Sequence, residues 1–232
     1  MKVLLLGATG LIGRNCLDYL LRSDMVTEVI APTRRSLQLK AQKLHNMLVD
    51  FDRLDEYPEL FEVDAILCCL GTTIKQAGNK EQFKLVDYQY CMDAAELGRA
   101  HSVGSFSLVS AIGSSANSPF FYSRVKGQLE EHLRELEYPV LSIFRPSLLL
   151  GDRQESRFGE MVAARIAPLF NPLMVGGLSG YKAIQATVVA KAMVIDCLVN
   201  RDGRYNKPQV RVYSHDKIVK LAGDESVIGE AI

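Results

Sequence analysis

No excess of either charge sign runs through this sequence: lysine plus arginine and aspartate plus glutamate both number 27. That removes the bulk basic field by which a protein gathers nucleic acid. No apolar run is long enough to span a bilayer, which excludes stable membrane insertion through a helix. The four histidines, His45, His101, His132 and His215, are scattered without metal-ligand spacing and read as surface residues. Five cysteines form no Cys-x-x-Cys and no paired metal spacing, and Cys68 and Cys69 adjoin inside an apolar run. They read as buried free thiols, with a reducing cytoplasm as the expected location. The opening "MKVLLLGATG" has a lysine and a short apolar run like a secretion signal, but Gly7 and Gly10 break the run early. A buried strand explains it better. No repeat and no low-complexity segment is visible.

What is present suffices for a core. The chain has 232 residues, of which 48% are hydrophobic. That fits one large domain, or a domain with a small lobe. Short continuous apolar runs at 2–6, 28–31, 46–50, 64–71, 105–110 and 139–144 read as strands. Helical patterns cover 11–22, about 80–100 and 119–133 between them. Strands alternating with helices predict an α/β fold: a doubly wound, parallel Rossmann sheet covered on both faces. Residues 1–150 are the expected dinucleotide-binding core. After Gly151 the rhythm changes, and 151–232 is the expected C-terminal substrate or lid lobe, packed on the same domain. A helix over 186–199, a strand in "QVRVYS" and a short helix from Asp216 lie within it.

"GATGLIG" places Gly7, Gly10 and Gly13 between the first strand and the first helix. Gly7 permits a sharp turn, Gly10 lets a pyrophosphate approach the backbone, and Gly13 lets the helix pack close to the sheet. Backbone N–H groups around Thr9, Leu11 and Ile12 would hold the phosphates at the helix start. The second strand ends in "APTRR", with Arg34 and Arg35 where an NAD-specific site usually has an acid, about twenty residues on. Two guanidinium groups suit the 2′-phosphate of NADP.

Tyr122 and Lys126 stand four apart in a helical pattern and so share one face. With the glycine turn, the sheet order and this Tyr-x-x-x-Lys together, the chain resembles the short-chain dehydrogenase/reductase superfamily. The glycine spacing and "FRPSLLLG" (144–151) are similar to its extended or atypical branch. "CCLGTT", "VDYQY", "YSRVKG" and above all "FRPSLLLGDRQESRFGE" resemble the family of the human Tat-interacting oxidoreductase-like protein and its bacterial relatives. The resemblance implies that Gly7, Gly10 and Gly13 bind pyrophosphate and that Arg34 and Arg35 meet the 2′-phosphate. It implies that Asp50 and Phe51 border the adenine, Leu70 and Gly71 the adenosine ribose, and Pro146 to Leu148 the nicotinamide. It makes Tyr122 and Lys126 the catalytic pair. The third catalytic member comes from the end of the fifth strand, where Ser110 is the candidate and Ser114 and Ser115 are the runners-up.

The implied chemistry is carbonyl reduction by NADPH, with Tyr122 giving the proton, Lys126 favouring its ionised form and Ser110 polarising the carbonyl. The alternative is a redox-sensing or scaffold protein that binds cofactor without turnover. "CLGTT" stands where many of the commoner reductases have an Asn-Ala-Gly segment. Arg153, Glu155, Arg157 and Glu160 read either as a wall recognising an anionic small-molecule substrate or as an ion-paired loop. The apolar 161–177 stretch reads as a lid, a homodimer or protein-partner surface, or a membrane-touching helix.

Overall fold

A computed structural model describes residues 1–151, 182–200, 205 and 207–224. The charged 153–160 segment and the apolar 161–177 stretch therefore lie outside the described residues. Seven strands form one parallel sheet in the order β3-β2-β1-β4-β5-β6-β9. They are β1 (Lys2–Leu6), β2 (Glu28–Thr33), β3 (Leu44–Leu48), β4 (Ala65–Cys68), β5 (Ser105–Val109), β6 (Val140–Phe144) and β9 (Gln209–Tyr213). Two short strands, β7 (Leu149–Leu150) and β8 (Ile184–Gln185), pair separately. The order reverses between β1 and β4, and that switch opens a crevice at the strands' carboxyl ends, where such sheets bind ligands.

The helices are α1 (Gly13–Arg22), α2 (Ile74–Ala77), α3 (Lys80–Lys84), α4 (Tyr90–Ala100), α5 (Phe121–Glu135), α6 (Ala186–Val199) and α7 (His215–Ala222). Val3, Leu4, Leu5 and Leu6 are all fully buried, as a central strand covered on both faces must be. On one face Leu17, Leu20, Val189 and Met193 pack with Ile218; on the other Met92, Ala95, Leu129 and Leu133 pack with Phe61. Helix α6 is apolar all round and accordingly buried on most sides. Its one acid, Asp196, accepts the Tyr213 hydroxyl at 2.5 Å and pairs with Arg211 at 3.5 Å, tying α6 to β9. Of the expected C-terminal lobe, then, the described residues contribute a seventh strand and two core helices.

Local departures from the sequence reading have local causes. Strand β2 runs on through Pro32, because β1 pairs with it only as far as Ile30 and the missing N–H breaks no bond on that side. Strand β3 ends at Leu48, and Asp50 leaves it to cap the 3-10 turn at Phe51–Glu56. Helix α5 starts at Phe121 because Phe120, just after Pro119, is extended. The expected long helix over 80–100 is interrupted by a π-turn at Leu85–Gln89. Sequence periodicity gives no warning of it, and such turns concentrate at functional sites.

Candidate functional site

The three glycines of the first turn are not equivalent. Gly7 has φ +78°, and a Cβ there would lie 2.5 Å from the Cys69 carbonyl oxygen. A Cβ on Gly13 would run into the Gly7 carbonyl. The fold itself requires both. A Cβ on Gly10 would meet only the Gly7 oxygen, at 3.2 Å, with its next neighbour at 3.9 Å. Gly10 is thus the least constrained of the three by the fold, although a Cβ there would still sit tight against that backbone oxygen. Helix α1 follows from Ile12 without a side-chain cap and without an acid in its first turn, so no side chain of that turn offsets its positive end. Thr9 is exposed and Leu11 half-buried beside it.

Arg34 and Arg35 are exposed just beyond β2. The loop carrying them is organised by Asn46 of β3, which donates to the Ala31 carbonyl and the Thr33 hydroxyl, both at 2.8 Å. Thr33 in turn donates to the Arg35 carbonyl at 2.7 Å. Asp50 is exposed, and its carboxylate accepts the Asp52 N–H at 3.1 Å. Phe51 is buried, its ring 5.6 Å from that of Tyr90. Tyr90 donates to Asp52 at 2.6 Å; burial first, then that bond, pushes its hydroxyl up to about 12. Leu70 is half-buried and Gly71 exposed at the end of β4.

On α5 the structure separates the tyrosine from the lysine in environment. The Tyr122 ring is 39% exposed and leans on Phe83, centroids 5.6 Å apart. Lys126, one turn on, is only 3% exposed. Its ammonium lies 2.8 Å from Oδ1 of Asp87, itself buried in the π-turn. Burial alone would lower the lysine's pKa, but Asp87, with smaller contributions from Cys91 and Tyr122, outweighs it and leaves the value raised. Asp87 Oδ2 accepts the Thr72 N–H at 2.7 Å, so one carboxylate joins α5 to the loop after β4.

Ser110 is placed differently. It is buried, and its hydroxyl donates to Glu130 Oε1 at 2.6 Å and lies 3.0 Å from Ser114 Oγ. Ser114 donates to the Ala111 carbonyl at 2.8 Å. Glu130, also on α5, takes Arg145 Nε at 2.9 Å and Nη2 at 2.5 Å. The loop bearing Ser114 and Ser115 rests on α5 itself, since a Cβ on Gly127 would overlap the Ser115–Ala116 backbone. Pro146 is buried and accepts the Ile112 N–H at 2.9 Å, while Leu148 is 50% exposed. The structure thus gathers Gly71, Lys126 and Asp87 at one place and puts Ser110 in a separate carboxylate network.

Sequence reasoning gave no role to Asp87, Thr72 and Arg145, although all three lie in the motifs quoted, nor to Asn46 and Glu130. None lies at a motif spacing from its partner, and the π-turn that aims Asp87 has no sequence pattern. Two histidines correct the surface reading. His215 is 8% exposed with Nδ1 3.1 Å from Ser147 Oγ, and half-buried His132 meets the Tyr88 hydroxyl at 2.5 Å through Nδ1. All five cysteines are free; Cys16 and Cys69 lie 3.9 Å apart, and Cys68 and Cys91 3.5 Å. Among the described residues no helix is long and apolar enough to cross a membrane.

Known proteins share this architecture. The chain is 39% identical over 197 residues to Protein HTATIP2 of Rattus norvegicus, covering 83% of this chain and 79% of that protein. It is 31% identical over 225 residues to Protein FMP52, mitochondrial, of Meyerozyma guilliermondii, covering 96% and 95%. Among solved structures, the oxidoreductase ylbE of Lactococcus lactis superposes with a TM-score of 0.67 at 16% identity, covering 95% of this chain and 96% of that one. MoeE5, in complex with UDP-glucuronic acid and NAD, gives 0.67 at 13% identity, over 97% of this chain and 82% of its own. The expected cytoplasmic location is corrected here, because the fungal relatives are designated mitochondrial. Free thiols ask only for a reducing compartment, and composition does not say which one. The profile of the NAD dependent epimerase/dehydratase family matches residues 3–168, and with the Rossmann sheet and the HTATIP2 likeness it places the chain in that family, within the extended short-chain dehydrogenase/reductases.

Proposed function

We propose that the chain binds NADP(H) across the carboxyl edge of its sheet and reduces a carbonyl group of a small molecule, with Tyr122 as proton donor. The observation that carries the reading is the contrast on α5: an exposed tyrosine stands one turn from a buried, charge-paired lysine. Lysine is almost never buried without a reason to be held there. The residues present fit the cofactor. Gly10 leaves backbone open for the pyrophosphate, α1 offers an uncapped N-terminus, and two exposed arginines stand where the 2′-phosphate would lie. When bound, NADPH supplies the hydride.

Each residue then has a task. Gly7 and Gly13 shape the turn and Gly10 admits the phosphates. Lys126, fixed by Asp87, presents an ammonium beside Gly71. Tyr122 faces solvent at the same edge and donates its proton to the oxygen on which negative charge develops. Ser115, exposed on the loop seated against α5, is a better candidate for orienting the carbonyl, because the Ser110 hydroxyl is held by Glu130 and the buried Ser114 hydroxyl by the Ala111 carbonyl. The Ser110 bond also favours a second reading, a cofactor-binding regulatory protein without turnover.

NADPH oxidation across a carbonyl panel, set beside NADPH binding, separates the two readings. Tyr122→Phe should keep cofactor affinity and lower turnover by roughly 10²–10⁴-fold. Full activity in Tyr122→Phe would sink the catalytic assignment. Tight NADPH binding with no turnover of any carbonyl would make the regulatory reading the better one.

A further inference from the structure

Asp87 lies in "VDYQY" but was given no role by the sequence, yet it is 1% exposed beside Lys126. Three observations converge on it. It lies in the π-turn, which displaces it from the register of the flanking helices α3 and α4. Its Oδ2 is bonded to the Thr72 N–H, while its buried Oδ1 has no hydrogen-bond partner beyond the 2.8 Å ion pair with Lys126. A Cβ on exposed Gly71 would lie 3.5 Å from that Oδ1 and 3.9 Å from Lys126 Nζ, so a missing side chain leaves the charged pair next to the cleft.

Stability does not explain such a pair. Well-packed apolar residues of similar volume serve a buried site as well or better, because the desolvation of two charges offsets their attraction. We infer that Asp87 is a positioning residue of the proposed cofactor site, holding the Lys126 ammonium charged and in place against burial while anchoring the Gly71–Thr72 loop. The inference rests on the NADP(H)-binding reading. The groups felt at Lys126 Nζ are Asp87 from the π-turn, Cys91 from α4 and Tyr122 from α5 itself. Of these only Asp87 makes a direct contact, so it decides whether the lysine keeps its proton.

The test is NADPH affinity of the full chain, by fluorescence titration, from about pH 6.5 to about pH 10, a window below the ordinary lysine value. In the parent, Lys126 stays charged throughout, and affinity should change less than about threefold across the window. Asp87→Asn keeps the volume and an acceptor for Thr72 but removes the negative charge. Burial then draws the proton from Lys126 inside the window, and affinity should fall about tenfold or more as pH rises. Asp87→Asn/Lys126→Met should bind more weakly than the parent at low pH, with a flat profile. An Asp87→Asn profile that superposes on the parent's overturns the inference and leaves the cofactor reading intact. A parent that does not bind NADPH overturns the cofactor reading, and this inference with it.

Should Asp87→Asn fail to fold, Lys126→Met supplies the test through thermal unfolding. It leaves a buried carboxyl without its cation, which holds a proton to higher pH folded than unfolded. Stability relative to the parent should then be greatest at low pH and be lost as pH rises. A Lys126→Met midpoint that tracks the parent's at every pH overturns the inference.

Discussion

Two buried carboxylates, Glu130 carried by α5 and Asp87 paired with Lys126 of the same helix, are used in opposite ways. Glu130 is saturated: it takes Ser110, three bonds from Arg145 and an ion pair with Arg134 at 3.5 Å. Both arginines are about one-third exposed along their side chains, so water helps to solvate that network. It ties α5 to the end of β6 and to the start of the loop after β5. Asp87 has one cation and one backbone N–H, and the charge it balances is as buried as it is. A polar group with every bond made is holding structure together. Asp87 keeps one oxygen on a backbone N–H and the other on a single buried cation, beside a glycine at the crevice.

The comparison can be broken at several points. Glu130→Ala should have the largest effect on the fold, destabilising it by about 3 kcal/mol, the low end for a broken buried pair because both arginines stay partly solvated. Chemical denaturation measures this, and a loss below 1 kcal/mol would place Glu130 outside the structural role. Ser110→Ala removes one bond to a carboxylate and should cost about 1.5–3 kcal/mol of stability. If Ser110 belongs with Glu130, turnover should fall less than tenfold; a fall matching that of Tyr122→Phe would restore it to the catalytic set.

Replacing Arg34 and Arg35 by alanine touches neither carboxylate. NADPH affinity should weaken by about 1–3 kcal/mol, the scale of charge-assisted hydrogen bonds, with NADH nearly untouched. Equal losses for both cofactors would show that these arginines do not read the 2′-phosphate. Gly10→Ala should have the smallest structural effect, because its Cβ meets a neighbour only at 3.2 Å, whereas Gly13→Ala collides with the Gly7 carbonyl and should unfold readily. A similar drop in melting temperature for both would remove the distinction on which the cofactor reading leans.

What was legible in the sequence is what neighbours in sequence can write. The strand, glycine turn and helix of the first unit share one short segment, and Tyr122 and Lys126 share one helical face. The doubly wound parallel sheet follows from strands alternating with helices, but its seventh strand reads as part of a C-terminal lobe. The charge logic of the site was not legible. Asp87 meets Lys126 across two separate elements, and Glu130 meets Arg145 between a helix and the end of a strand. Ser110 stood at the expected distance before Tyr122, but only coordinates reveal that its hydroxyl is turned to Glu130. Pattern reading located the residues without saying which were already engaged.

The central claim is that the glycine turn holds the pyrophosphate of NADP(H). Titrating Gly10→Val with NADPH tests it most directly, because the isopropyl group fills the space where the phosphates must approach. The account predicts that binding is lost while circular dichroism and cooperative unfolding show the fold retained. A folded Gly10→Val that binds NADPH as tightly as the parent would contradict it.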